Sequence, residues 1–201
     1  MNFYSPPIKW IVFGRRCVRL NTSFRTVLKC YEIFADDLLN DYEKIDLCLR
    51  FLVWPFFLWF LSPKKKVELF GQIYEKFIDI QGKKKQSNEK QFDFNQDASS
   101  IYSGFWQCYH IDLIGKHKNL HWWSFVALFN GLSDDTKMMQ IISVRSRPLP
   151  KPTKYNAEER QQLIKLKQLY RLEISEEERK RQYQQGLAKI AATLQNLAQR
   201  S

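Results

Sequence analysis

The sequence predicts a mainly α-helical protein: an N-terminal β-hairpin, then a compact multi-helix domain, then a C-terminal amphipathic helical tail. Three observations carry that prediction. Apolar residues recur at spacings of three and four over most of the chain, the repeat of helices buried along one face. A short β-branched and aromatic run near the N-terminus is split by Gly14. Aromatic residues make up 15% of the 201 residues against seven Gly and seven Pro, which supplies a core and excludes disordered, collagen-like and low-complexity chains.

In chain order, Ile8 to Phe13 and Arg16 to Leu20 read as the two hairpin strands, with Gly14-Arg15 between them. Asn21-Thr22-Ser23 supplies a cap for a helix whose apolar stripe is Phe24, Val27, Leu28, Tyr31, Phe34 and Leu38. A second helix is expected after Asn40-Asp41, through Ile45, Leu49 and Leu52. Ser62-Pro63 looks like an N-cap followed by an N1 proline. Val67, Phe70, Ile73, Tyr74 and Phe77 form the stripe of the helix it opens, which ends near Gly82. Residues 83–91 read as a solvated, Lys-rich linker without interleaved aromatics.

A further helix starts near Asp97 and carries Ile101, Phe105 and Tyr109 on one side, and Asp112 caps the turn after Ile111. Another runs from Trp122 to Phe129 and stops at Gly131, and Ser133-Asp134-Asp135 offers a cap before Met138. Pro148, Pro150 and Pro152 end the helical pattern and divide a domain over 1–150 from a tail over 151–201. Within the tail, Asn156 and Glu159 resemble a capping box ahead of Leu163, Leu166 and Tyr170, and Ser175 to Glu178 repeats the device. The second of these helices places Tyr183, Leu187, Ile190, Leu194 and Leu197 on a narrow seam. That seam serves either a partner helix, a second copy of the chain or the chain's own core.

Lys and Arg number 32 and Asp and Glu 21, a net charge of +11. The excess lies at the ends, with +5 over residues 1–35 and +7 over 145–201, against +1 and −2 for the two segments between. Such a balance admits an acidic protein partner, nucleic acid or an anionic surface. Cys17, Cys30, Cys48 and Cys108 form no C-x-x-C pair, and Lys118 stands between His117 and His121 where a zincin needs Glu. No metal, no cofactor and no catalytic residue is therefore expected, and the absence of G-x-x-x-x-G-K, G-x-G-x-x-G and G-x-S-x-G points away from an enzyme. The apolar run from Leu47 to Leu61 is 15 residues, shorter than the roughly 20 of a spanning helix, and contains Arg50 and Pro55. It reads as two buried helices meeting at Pro55, with a membrane-associated segment as the alternative. Met1 to Leu20 holds no continuous apolar run, so no signal peptide is expected.

Several blocks together resemble a known family. Phe92 to Asp97, Ile101 to Leu113 with its Tyr109-His110-Ile111-Asp112-Leu113, and Leu120-His121-Trp122-Trp123-Ser124-Phe125 with Leu128 and Gly131-Leu132 are similar to the "gene product fifteen" family of tailed bacteriophages. Ile142 to Ser146 and Asn21 to Arg25 are similar to two further family segments, and the resemblance covers about residues 8 to 172. It implies a small helical protein encoded between tail-tube and tape-measure genes. The implied role is a tail-assembly chaperone in the cytoplasm of the bacterial host, absent from the mature virion. Tape-measure protein, tail-tube protein and a companion tail chaperone are the implied partners. The chain departs from the family pattern at His110, where Gly is expected, and in the aromatic density of Phe51 to Phe60, which suggests an unusual partner surface. Trp122 and Trp123 are read as core residues or as partner-binding residues. The other reading of the charge is a nucleic-acid-binding phage accessory protein; specific nucleic-acid binding and membrane binding are not expected.

Overall fold

A computed structural model of the chain describes residues 8–79 and 91–173. The chain divides into two compact units, Met1–Ser143 and Val144–Ser201. Eight α-helices, one π-helical turn and a two-stranded antiparallel sheet lie within the described residues, so the protein is mainly helical with an N-terminal hairpin. Among the described residues no helix is long and apolar enough to cross a membrane.

Strands β1 (Trp10–Phe13) and β2 (Arg16–Arg19) pair in the register Trp10↔Arg19 to Phe13↔Arg16. Gly14 takes φ +60°, a conformation that an L side chain strains to reach. The alternation of a half-buried hairpin follows: Ile11, Phe13 and Val18 turn inward, while Trp10, Val12 and Arg19 face out.

Helix α1 (Phe24–Ala35) buries Phe24, Val27, Cys30 and Ile33 against α2 and α6. This corrects the expected stripe, because Tyr31 and Phe34 are half-exposed and Leu38 lies beyond the helix, 94% exposed. Tyr31 and Phe34 sit at the edge of the packed face, Tyr31 beside Phe94 and Trp122 at 6.2 and 6.1 Å and Phe34 beside Phe70 at 5.4 Å between ring centroids. Helix α2 (Asp41–Leu52) opens with a capping box: Asn40 Oδ1 accepts from the Glu43 N–H at 3.0 Å, and Glu43 Oε2 accepts from the Asn40 N–H at 2.9 Å. It buries Cys48, Leu49 and Leu52 completely, and the Cys48 thiol donates to the Cys30 carbonyl at 3.8 Å.

The helices do meet at Pro55, but the second of them is not buried. Proline restrains its predecessor to extended backbone, and Trp54 has φ −58° and ψ 124°. Only one helical turn, α3 (Pro55–Leu58), fits before α4 (Pro63–Ile73) begins with Pro63 at its first position. Of α3 only Leu58 is buried; one turn has too little surface to bury rings on every side. The stripe of α4 continues past Ile73 as a π-helical turn, Tyr74–Ile78, closed by the Asp79 N–H donating to the Tyr74 carbonyl at 2.8 Å.

Helices α5 (Ala98–Tyr109) and α6 (Trp122–Asn130) complete the core around Phe125. Its ring stacks on Phe24 at 4.6 Å and on Phe105 at 5.1 Å between centroids. Ahead of α7 (Lys137–Ser146) the cap is Thr136 rather than Ser133, Asp134 or Asp135. Fully buried Thr136 donates its hydroxyl to the Ser133 carbonyl at 2.8 Å and accepts from the Met139 N–H at 3.4 Å, so the three earlier residues form only the approach turn.

In the second unit, α8 (Ala157–Leu169) forms where expected, but its capping box does not. Asn156 has φ −114° and ψ 16°, off the extended geometry that aims a cap side chain at the helix. Its amide instead turns back, accepting from the Thr153 N–H at 2.8 Å and donating to the Lys151 carbonyl at 2.9 Å, while Glu159 pairs with Arg147 at 2.7 Å. Arg145 Nε donates to the Tyr170 carbonyl at 2.6 Å, and Lys167 Nζ to the Arg145 carbonyl at 2.8 Å. The tail helix expected after Ser175 lies outside the described residues.

Candidate partner-binding surface

Two of the sequence blocks that carry the resemblance, Asn21 to Arg25 and Leu120 to Phe125, meet in space. The Phe24 N–H donates to the Leu120 carbonyl at 2.9 Å, and the Trp122 N–H donates to the Thr22 carbonyl at 2.8 Å. Ser23, the N-cap residue of α1 by position, donates its hydroxyl to the Lys118 carbonyl at 3.2 Å instead of capping its own helix. The first turns of α1 and α6 thus satisfy each other's free backbone groups. His121 holds the junction: Nδ1 accepts from the Trp123 N–H at 3.1 Å, which leaves Nε2–H to donate to the Ile8 carbonyl at 3.1 Å.

Trp122 and Trp123 reach in the other direction. Their indole N–H groups donate to successive carbonyls at the end of the π turn, Trp122 to Ile78 at 3.1 Å and Trp123 to Phe77 at 2.9 Å. Trp122 is buried, 3% exposed, and Trp123 is half-buried. Both indoles thus close the π turn that follows α4, Trp122 from within the core and Trp123 from its edge. Tyr183, Leu187, Ile190, Leu194 and Leu197 lie outside the described residues.

Two turn residues account for the block between α5 and α6. His110 ends α5 in the left-handed region, φ 54° and ψ 32°, with its N–H donating to the Trp106 carbonyl at 3.0 Å. The turn that a Gly would favour is thus made by a histidine. Asp112 Oδ1 accepts from the N–H groups of Gly115 at 2.9 Å and Ile114 at 3.0 Å, as expected of a turn cap. Those bonds, Gly115 foremost, hold its carboxyl below the usual carboxylate range. A Cβ on Gly115 would run into that carboxylate.

The surface with binding character lies elsewhere, on and around α3. Trp54, Phe56, Trp59 and Phe60 are 75%, 61%, 83% and 65% exposed, and Phe51 at the end of α2 is half-exposed. Phe56 is the centre of the group, edge-on to Phe60 at 5.3 Å and tilted against Trp59 at 6.4 Å. The Leu20↔Val53 bridge and the Asn21 N–H on the Leu52 carbonyl, 2.8 Å, join this corner to the hairpin. On the hairpin's outward face Trp10 and Val12 are exposed, with the Arg19 guanidinium 5.7 Å from the Trp10 ring centre.

Basic residues flank the rings in sequence. Asp46 holds Lys66 at 2.6 Å and Arg50 at 2.9 Å, and the Lys66 ammonium keeps its carboxyl below the usual range against the opposing effect of burial. Lys64 and Lys65, in the first turn of α4, are exposed. Residues 47–67 contain four basic side chains and no acidic one, and residues 8–20 repeat that count. The aromatic density of Phe51 to Phe60 points to this surface in the sequence, whereas the reading of Leu47 to Leu61 as two buried helices puts the same rings inside. A second signal is Pro55 and Pro63, eight residues apart, which leave room for one helical turn among Phe56, Phe57, Trp59 and Phe60.

A smaller apolar dimple lies between α1 and the π turn, lined by Cys30, Tyr31, Phe34, Phe70 and Tyr74. Burial pushes the Tyr31 hydroxyl up to about 12. Among the described residues no three of His, Cys, Asp and Glu gather as a metal site requires.

Fold and surface together define a small helical protein with an N-terminal hairpin and an exposed aromatic corner. A family profile described as bacteriophage Gp15 protein matches residues 13–172, and the chain belongs to that family. No curated protein sequence and no solved structure shows significant similarity to it.

Proposed function

We propose that this phage protein is a non-enzymatic tail-assembly chaperone, acting in the cytoplasm of the bacterial host and left out of the mature virion. It binds tape-measure protein, tail-tube protein or both during tail morphogenesis, alongside a companion chaperone. The observation that carries this reading is the exposed aromatic corner on and around α3, four large rings between 61% and 83% exposed. A monomer that spends so much apolar area on solvent has a use for it. A tape-measure protein is a long apolar helix that aggregates when unsheathed, and apolar faces of a helical chaperone suit such a client. The seam Tyr183, Leu187, Ile190, Leu194 and Leu197 offers a second contact, to the client or to another copy.

The test is co-expression with the tape-measure protein of the same phage. The client is expected in the soluble fraction with the chaperone and in the pellet without it. Replacing Leu187, Ile190 and Leu194 with Asp is expected to reduce the soluble share. A client equally soluble with and without the chaperone overturns the reading.

A further inference from the structure

We infer that the α3 corner is a docking face for an acidic amphipathic helix of a partner protein. This rests on the chaperone reading and specifies the chemistry of what is bound. The face is apolar at its centre, where Trp54, Phe56, Trp59 and Phe60 stand in solvent. Beside them in sequence, residues 46–68 carry four basic side chains against Asp46 and Glu68, and the hairpin from 8 to 20 carries four basic and no acidic ones, so the excess is positive. Asp46 accounts for Arg50 and Lys66, whereas Lys64 and Lys65 stand exposed in the first turn of α4. An occupant that buries apolar side chains on the rings and matches this border must carry carboxylates beside its apolar stripe.

Other occupants fit less well. A second copy docked through the same face would bring the basic excess of both chains into one interface. The chain's own residues 174–201 carry five basic and three acidic side chains, the wrong sign for this border. A single-stranded nucleic acid needs open ring faces on which bases stack. Phe56 shares its contacts with Phe60 and Trp59, and stacking of bases on the remaining ring faces is the outcome that the oligodeoxythymidine comparison tests.

The experiment uses the full chain and a synthetic amphipathic helical peptide with a Leu face and Glu on its other positions. A peptide with Lys in place of each Glu, an oligodeoxythymidine and anionic phosphatidylserine vesicles are the comparisons. The acidic peptide is expected to bind at least about 10-fold more tightly than the basic one, and to weaken as salt rises through roughly 0.15 M. Trp59→Ala is expected to cost roughly 30-fold, the loss typical of one aromatic hot spot. Lys64→Glu with Lys65→Glu is expected to remove the preference for the acidic peptide. The paired reversal places anions at a helix N-terminus, where they favour the helix, so weaker binding does not report unfolding; circular dichroism checks this. Equal affinity for both peptides, affinity indifferent to Trp59→Ala, or binding of only the oligonucleotide or only the vesicles overturns the inference. Client solubility in co-expression is read separately, so a soluble client with no acidic preference removes this inference and leaves the chaperone reading standing.

Discussion

At the scale of single residues, the most informative position is His110. A non-glycine residue in the left-handed region crowds its Cβ against the backbone, a cost of roughly 1 to 2 kcal/mol. His110 bears that cost at the end of α5, φ 54°, and its side chain is exposed, so little packing is gained in return. His110→Gly is expected to stabilise the protein by roughly 0.5 to 1 kcal/mol, the relief being partly offset by glycine's larger entropy loss on folding. Thermal melting should show a rise of about 2 to 4 °C. His110→Ala keeps the Cβ and is expected to show no rise; equal melting temperatures for the Gly and Ala variants would refute the assignment of strain. The neighbouring turn works in the opposite way, since a Cβ at residue 115 would displace the Asp112 carboxylate that accepts the Gly115 N–H.

At the scale of elements, Asp46 ties α2 to α4 through Lys66 at 2.6 Å, both side chains being largely shielded from solvent. Its carboxyl titrates below its unfolded value, so the ion pair stabilises the fold above about pH 4 and loses that contribution as the pH falls further. Asp46→Asn is therefore expected to lose roughly 1 to 3 kcal/mol near pH 7. The gap between variant and wild type closes in acid, as chemical denaturation at several pH values would show. Elements of this kind were legible in the sequence wherever the signal was local. Gly14 marked the hairpin turn, Ser62-Pro63 the start of α4, and Gly131 the end of α6. Burial was less legible, because it depends on what comes to cover a helix. Tyr31 and Phe34 continue a good stripe, yet nothing in α1 itself reveals that α2 covers the side bearing Cys30 and Ile33. The work done by Trp122 and Trp123 was equally hidden: their indoles satisfy carbonyls of residues 77 and 78, more than forty positions earlier.

At the scale of the whole molecule, a net charge of +11 and an exposed aromatic face act against each other in any encounter between two copies. In dilute salt the charge keeps copies apart, since the screening length is about 10 Å at 0.1 M and longer below that. Near 1 M it contracts to about 3 Å, and the repulsion between the basic borders of two α3 faces fades. Burial of apolar rings is not screened, and the attraction between the faces survives. Self-association is therefore expected to increase with sodium chloride, the reverse of an association held by ion pairs. Sedimentation velocity at low and high salt measures it directly. Trp59→Ser should cut the high-salt oligomer, because that ring is 83% exposed and its removal leaves the core intact. If oligomers instead formed in low salt and dissolved as salt was added, charge pairing would be the cohesive force and the aromatic face would not be.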